Sequence, residues 1–327
     1  MTRRKTGAYD LPLSRPLSPP VQRAARDTSY PLPGRPVNHP MTGNTLRLRV
    51  EQFAPLLGDL DANLARVAAA QGEAAADGVG LLVTPELSLT GYDLRDRVHA
   101  LAVAESDAPF PALAAGPDVI VGAVERDAAF VPRNAALHLR GGRVLHRHRK
   151  VYLPTYGMFD EGRWFGRGDR VRSYAAGGGW RLGMLVCEDL WHPGLAYVLA
   201  SAGAHLLVVQ AAAAGRGSWQ GGAGGGRFSS WDAWEHLARA AAVAYGVYVV
   251  IANRVGVEGG LVFCGGSLAA GPDGSLLGRA SDFDEDRLTL DLSLAAVAQA
   301  RQPYAHARDD DPGLVARELA RLAAEGA

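Results

Sequence analysis

The chain has 327 residues with 34 Lys and Arg against 34 Asp and Glu, so no net charge draws it to nucleic acid or to an acidic membrane surface. Hydrophobic residues make up 48% and charged residues 21%, enough core for one large α/β domain with tails. No apolar run reaches the ~20 residues of a membrane span, and two cysteines, Cys187 and Cys264, exclude a disulfide framework and fit a reducing cytoplasm.

Residues 1–42 are rich in Pro and Arg without periodicity and read as a disordered tail; their prolines oppose the amphipathic helix of a targeting peptide. The domain proper is expected over 43–293, with a helical tail over 294–327. A strand is expected at 45–53, followed by a helix whose apolar spacing ends at Gly78. "VGLLVTPE" (79–86) reads as a short buried strand, with a turn and a helix after it. Strands follow at 118–125, 134–140 and 143–150, the last two joined as a hairpin through Gly141 and Gly142. Next come a strand at 180–187, a helix near 193–202, a strand at 204–210 and a helix at 229–246. Segments 247–255 and 261–280 read as sheet, the second turning at Pro272-Asp273-Gly274, and a strand at 286–292 precedes the tail. Alternating elements with several tight turns predict an α/β (α+β) architecture of mixed sheets covered by helices.

Some motifs carry little. The glycine-rich run 215–228 fits neither a phosphate loop nor a dinucleotide fingerprint; it reads as a flexible surface loop, placed to act as a lid. In "RVLHRHRK", His146 and His148 share one face of a strand, read here as solvated, and no third ligand at metal spacing accompanies them. Cys264 reads as a small core residue.

Three other residues share one geometry. Glu86 closes "GLLVTPE", Lys150 closes "RVLHRHRK" and Cys187 closes "WRLGMLVC". In sheets of this kind, functional groups gather where strands give way to loops. A carboxylate can take the proton of an attacking thiol, and an ammonium with a backbone N–H can stabilise the oxyanion. Acid, amine and thiol thus form a complete acyl-transfer set without histidine, metal or cofactor.

Around these residues stand "TPELSLTGYDLRD", "HRKVYLPTYGMFDEGRWFGRGD" and "LVCEDLWHP", three ordered blocks that resemble the nitrilase, or carbon-nitrogen hydrolase, superfamily over about residues 45–292. The middle block is most similar to the glutaminase domain of glutamine-dependent NAD synthetases. The resemblance implies a four-layer α-β-β-α sandwich and a homodimer or higher homo-oligomer. It implies Glu86 as general base, Lys150 as stabiliser of the tetrahedral intermediate and Cys187 as the nucleophile that forms a thioester. It assigns Glu161 as an additional acid, Tyr156 to the pocket wall and the Glu188 backbone N–H to the oxyanion hole; Trp191 is expected beside the pocket. "QAAAAG" (210–215) departs from the Asn- and Ser-containing run of synthetase-type domains, while "SSWDAWEHLARAAAVAYGVYVVIANRVG" is similar to stand-alone amidases. The expectation is a cytoplasmic, cofactor-free amidase acting on a small amide or N-carbamoyl compound, without a synthetase domain of its own. The alternatives are a glutaminase subunit feeding ammonia to a separate synthetase-type partner, or an inactive binding module of the same fold.

Overall fold

The computed structural model describes residues 44–104, 110–222, 225–303 and 306–326; the Pro/Arg-rich tail lies outside the described residues. The first half runs β1 (Thr45–Gln52), α1 (Leu60–Ala76), β2 (Leu81–Val83), α2 (Val98–Leu101), β3 (Asp118–Arg126), β4 (Pro132–Arg140), β5 (Arg143–Arg149) and α3 (Glu161–Trp164). The second continues with β6 (Tyr174–Gly177), β7 (Trp180–Val186), α4 (Pro193–Ser201), β8 (Leu206–Ala211), β9 (Trp219–Gly222), β10 (Gly225–Phe228) and α5 (Ser230–Tyr245). It closes with β11 (Tyr248–Asn253), β12 (Val255–Glu258), β13 (Leu261–Cys264), β14 (Leu268–Ala270), β15 (Leu276–Arg279), β16 (Asp286–Ser293), α6 (Leu294–Arg301), α7 (His306–Asp309) and α8 (Pro312–Ala324).

Two six-stranded sheets result, in the orders β16-β1-β2-β3-β4-β5 and β15-β14-β11-β8-β7-β6. β1, β2 and β3 are parallel, as are β7, β8 and β11, with antiparallel strands on the flanks. Strand alternation sorts the side chains into layers. Leu81, Val83 and Ile120 face the second sheet, among Met184, Val208 and Val250. Leu82, Val119 and Val121 face outward onto Val67 and Ala74 of α1. On the far side, α5 buries Trp231, Trp234, Ala238 and Ala242, a helical stripe, against the second sheet. The order is therefore α-β-β-α, the expected four-layer sandwich.

Helix ends follow ordinary chemistry. Asp59 caps α1 by accepting the Ala62 amide at 3.0 Å, and α5 ends on Gly246 at φ +57, where a side chain would be strained. A polar staple crosses the interface between the sheets. The buried Gln210 amide on β8 donates to Thr84 O (2.6 Å) and Ile120 O (3.3 Å), tying the second sheet to the end of β2 and to β3.

Several sequence readings need correction. The strand expected at 79–86 spans only Leu81–Val83, because Pro85 and a tight turn take the chain off the sheet before Glu86. The helix expected after it is the single turn α2. The segment 247–255 breaks at Arg254, and β12 pairs with β13 in a separate two-stranded ribbon. The glycine-rich run is not simply a loop: β9 and β10 pair antiparallel, Trp219 packing edge-on against Phe228. Nor is the His146/His148 face solvated. It meets the second sheet, where His148 is buried and His146 stacks on Tyr174 at 3.9 Å. Alternation marks a face; it does not say whether another sheet covers it.

Candidate active site

The turn after β2 places the first group. The Thr84 and Ser88 hydroxyls bond each other at 2.7 Å, and the Gly122 amide on β3 donates to Ser88 Oγ at 3.0 Å. A Cβ on Gly122 would lie 2.3 Å from Leu87 N, so only glycine allows the turn to rest on β3. Leu87 holds φ +49, a costly backbone for a leucine. The outcome is a carboxylate, Glu86, buried between the sheets with every oxygen used. Oε1 accepts from Lys150 Nζ (2.7 Å) and Asn134 Nδ2 (2.8 Å), and Oε2 accepts from the Ala212 amide at 2.7 Å.

Lys150 is the first residue beyond β5. Its amide donates to Asn134 O at 2.8 Å, and its carbonyl accepts from Gly168 N at 2.7 Å. Nζ lies between two carboxylates, 2.7 Å from Glu86 Oε1 and 2.7 Å from Glu161 Oε1. Burial alone would lower the pKa of this ammonium, but Glu161 and Glu86 outweigh it and hold the group well above the ordinary lysine value. Glu161, at the start of α3, also accepts from the Tyr92 hydroxyl. Burial raises its carboxyl, Lys150 opposes and Glu86 adds to the rise, to about 7. Its Oε2 is buried without a hydrogen-bond partner among the described residues.

Cys187 directly follows β7 and opens a 3-10 turn (Cys187–Trp191) at φ +49. The thiol is raised well above its ordinary pKa by burial and by Glu86; Lys150 and a backbone hydrogen bond from Ala212 pull the other way. At neutral pH it rests as thiol, and attack requires a base that takes its proton.

A cavity of about 470 Å³ opens over this cluster, with Cys187 and Glu161 in its wall. Tyr92, Phe159 and Trp234 give it apolar sides. Tyr156, Glu188 and Trp191 also line it, nearer the solvent: the Tyr156 hydroxyl donates to Glu188 Oε2 at 2.9 Å, and Trp191 packs edge-on against Trp234 at 5.6 Å. The Arg216 guanidinium lies over the Tyr156 ring at 5.0 Å and the Phe159 ring at 5.7 Å. The sequence reading missed Asn134, Tyr92, Arg216 and the Ala212 amide. It passed over Asp189, whose buried carboxylate accepts the amides of Val151 and Tyr152, both at 3.0 Å, and of Val186 at 3.1 Å. The only hint for Tyr92 and Arg216 was their place in blocks already singled out. Among the described residues, no three His, Cys, Asp or Glu side chains group as a metal site, and no helix is long and apolar enough to cross a membrane.

A thiol at a strand end, backed by a buried ammonium between two carboxylates in an α-β-β-α sandwich, defines a class of acyl-transfer hydrolase. The sequence profile described as carbon-nitrogen hydrolase matches residues 47–302, and the chain belongs to that family, whose members are hydrolases acting on carbon–nitrogen bonds. It is 33% identical over 258 residues to a glutamine-dependent NAD(+) synthetase of Rhodobacter capsulatus, covering 77% of this chain and 44% of that protein. The chain thus spans less than half the length of such synthetase relatives. It is 32% identical over 271 residues to a Pseudomonas protegens protein named "Hydrolase in pqqF 5'region", covering 80% of this chain and 88% of that one. Among solved structures, a variant of the amidase from Nesterenkonia sp. AN1 superposes with a TM-score of 0.66 at 28% identity, covering 81% of this chain and 97% of that one. That structure shows covalent addition of the acetamide moiety of fluoroacetamide at its active-site cysteine.

Proposed function

We propose that this chain is an amidase that cleaves the carbon–nitrogen bond of a small amide or N-carbamoyl substrate through a thioester on Cys187. One observation carries the reading: the Lys150 ammonium is held between Glu86 and Glu161 beneath a cavity that contains Cys187. The Cys187 sulfur attacks the carbonyl carbon as Glu86 accepts the thiol proton. Lys150 and a backbone N–H of the Cys187 turn stabilise the negative oxygen. The C–N bond then breaks as Glu86 returns the proton to the leaving nitrogen. Water, deprotonated by Glu86, cleaves the thioester and releases the carboxylic acid. The adduct on the Nesterenkonia amidase cysteine supports Cys187 in this role. An ammonia-release screen over amides, ureides and nitriles tests the reading; no ammonia from any of them, with no acyl adduct on Cys187, sinks it.

Glu161 supplies a pH dependence. Its free Oε2 is available to accept the substrate N–H, and only the ionised carboxylate serves Lys150, Tyr92 and substrate together. A carboxyl raised to about 7 holds its proton below that pH and releases it above. The expected result is a kcat/KM that rises with pH through about 7, an apparent value of the coupled cluster. Glu161→Gln should flatten that limb in the pH profile; an unchanged inflection in the variant refutes the assignment.

A second reading, glutamine as substrate with ammonia passed to a synthetase-type partner, has one observation in its favour. Arg216 and Glu188 place a cation and an anion on either side of Tyr156 at the cavity mouth, a pattern suited to the carboxylate and ammonium of an amino acid. On that reading Arg216→Ala lowers kcat/KM for glutamine at least ~10-fold more than for an uncharged amide of similar length, since a charge-assisted hydrogen bond is lost. Equal losses for both substrates count against it.

A further inference from the structure

We infer that Asp189 is a positioning residue that fixes the nucleophile relative to the ammonium. Its carboxylate has no solvent exposure and does not line the cavity, so it has no direct route to substrate. Oδ1 accepts the Val151 and Tyr152 amides, and Oδ2 accepts the Val186 amide and lies 2.7 Å from His148 Nε2. The bond to Val186 is local to the 3-10 turn, from the amide just before it to the side chain of its third residue, and needs no further explanation. The other three partners are different. His148, Val151 and Tyr152 flank Lys150 on the first sheet, whereas Val186 and Asp189 flank Cys187 on the second.

A single side chain therefore holds both segments. Its four contacts use the full acceptor capacity of a carboxylate, and His148 Nε2 carries the proton of the fourth. Asparagine has the same shape but would oppose the Val186 N–H or the Lys150 segment with its own N–H2 group. Cys187 sits at φ +49, a conformation that persists in a non-glycine residue only when its surroundings over-determine it. Asp189, two residues on, anchors the residue before Cys187 and thereby holds that turn. This inference rests on the proposed joint action of Lys150 and Cys187. Displacement of a reacting group by about 1 Å costs about 100-fold in rate.

Asp189→Asn, His148→Leu and His148→Gln in the full chain test it. Three measurements are made: kcat and KM with the best amide from the screen, thermal unfolding, and peptide-mapped alkylation of Cys187 and Cys264 by 2-chloroacetamide. Asp189→Asn is expected to lower kcat about 100-fold while KM stays within about threefold. Cys187 alkylation should slow with it, and Cys264 should stay unlabelled. His148→Leu should lower kcat about tenfold, and His148→Gln, which keeps an N–H donor at that place, should recover most of the loss. A purely structural role gives the opposite pattern: a lower Tm, wild-type kcat in the folded fraction, and labelling of Cys187 and Cys264 that rises together. That pattern overturns the inference, as does wild-type kcat in both His148 variants. If Asp189→Asn does not fold, the His148 pair decides. If wild type turns over no amide, the proposed function fails and the alkylation rates alone judge Asp189.

Discussion

Cys187→Ala is expected to remove amide turnover almost entirely, on the order of a million-fold in kcat, as loss of a covalent nucleophile does elsewhere. The fold should survive. The thiol is buried but small, and alanine at φ +49 is no more strained than cysteine there, so the stability change is about 1 kcal/mol. Turnover and thermal unfolding measured on the same preparation separate the two effects. Intact-mass analysis after brief exposure to substrate should show an acyl adduct on wild type and none on the variant. Cys264 provides the control. Burial and nearby Asp282 push its thiol up to about 12, and it lies outside the cavity lining, so Cys264→Ala should keep its turnover. A Cys187→Ala protein retaining more than about 1% of wild-type kcat would remove the thioester from the mechanism.

Glu86→Gln should have the next largest effect, a kcat loss of about 100- to 10,000-fold, the range of a general base. The cause is specific. Burial, the largest influence raising the Cys187 thiol, persists when Glu86 is replaced, and the carboxylate that would take the thiol proton is gone. Glutamine fills the same space but cannot accept all three of the hydrogen bonds from Lys150, Asn134 and the Ala212 amide. Its N–H2 group must face one of those donors. Lys150 keeps Glu161 as a partner, so the stability cost should be about 2 kcal/mol, below that of an ammonium left alone. Denaturant unfolding with single-turnover acylation kinetics checks both numbers. Acylation at the wild-type rate would transfer the role of base to another residue, with Glu161 next in line.

Alternating elements and tight turns made the mixed-sheet α/β class legible, the four-layer form came from the family resemblance, and the candidate site residues stood out because chemistry-bearing side chains stand where apolar runs stop. Glu86, Lys150 and Cys187 follow β2, β5 and β7 by three, one and one residues. Asn134 was illegible for a countable reason. A regular hairpin turning at Gly141 and Gly142 puts residue 133 opposite Lys150, but a bulge beside His138 and Leu139 shifts the register by one and brings Asn134 there. Ala212 contributes only its backbone N–H, which a run of alanines cannot advertise. His148 read as part of a solvated face, and Asp189 was passed over. The two lie 41 residues apart, and only the docking of the two sheets makes them a pair. The β9–β10 ribbon was hidden by glycine content, which lowers strand propensity without forbidding a cross-strand pair.

The docking of those sheets also decides when the chain acquires its reactivity. Glu86, Asn134 and Lys150 belong to the first sheet and its turns; Cys187 and the Ala212 amide belong to the second. On the proposed mechanism, either sheet alone holds half of the apparatus: the base and the ammonium on the first, the thiol on the second. Until the sheets dock, the groups the proposed mechanism uses are not joined, and they come together with the burial that raises the thiol. On the proposed mechanism, the packing of one sheet on the other and the assembly of the reacting set are the same event.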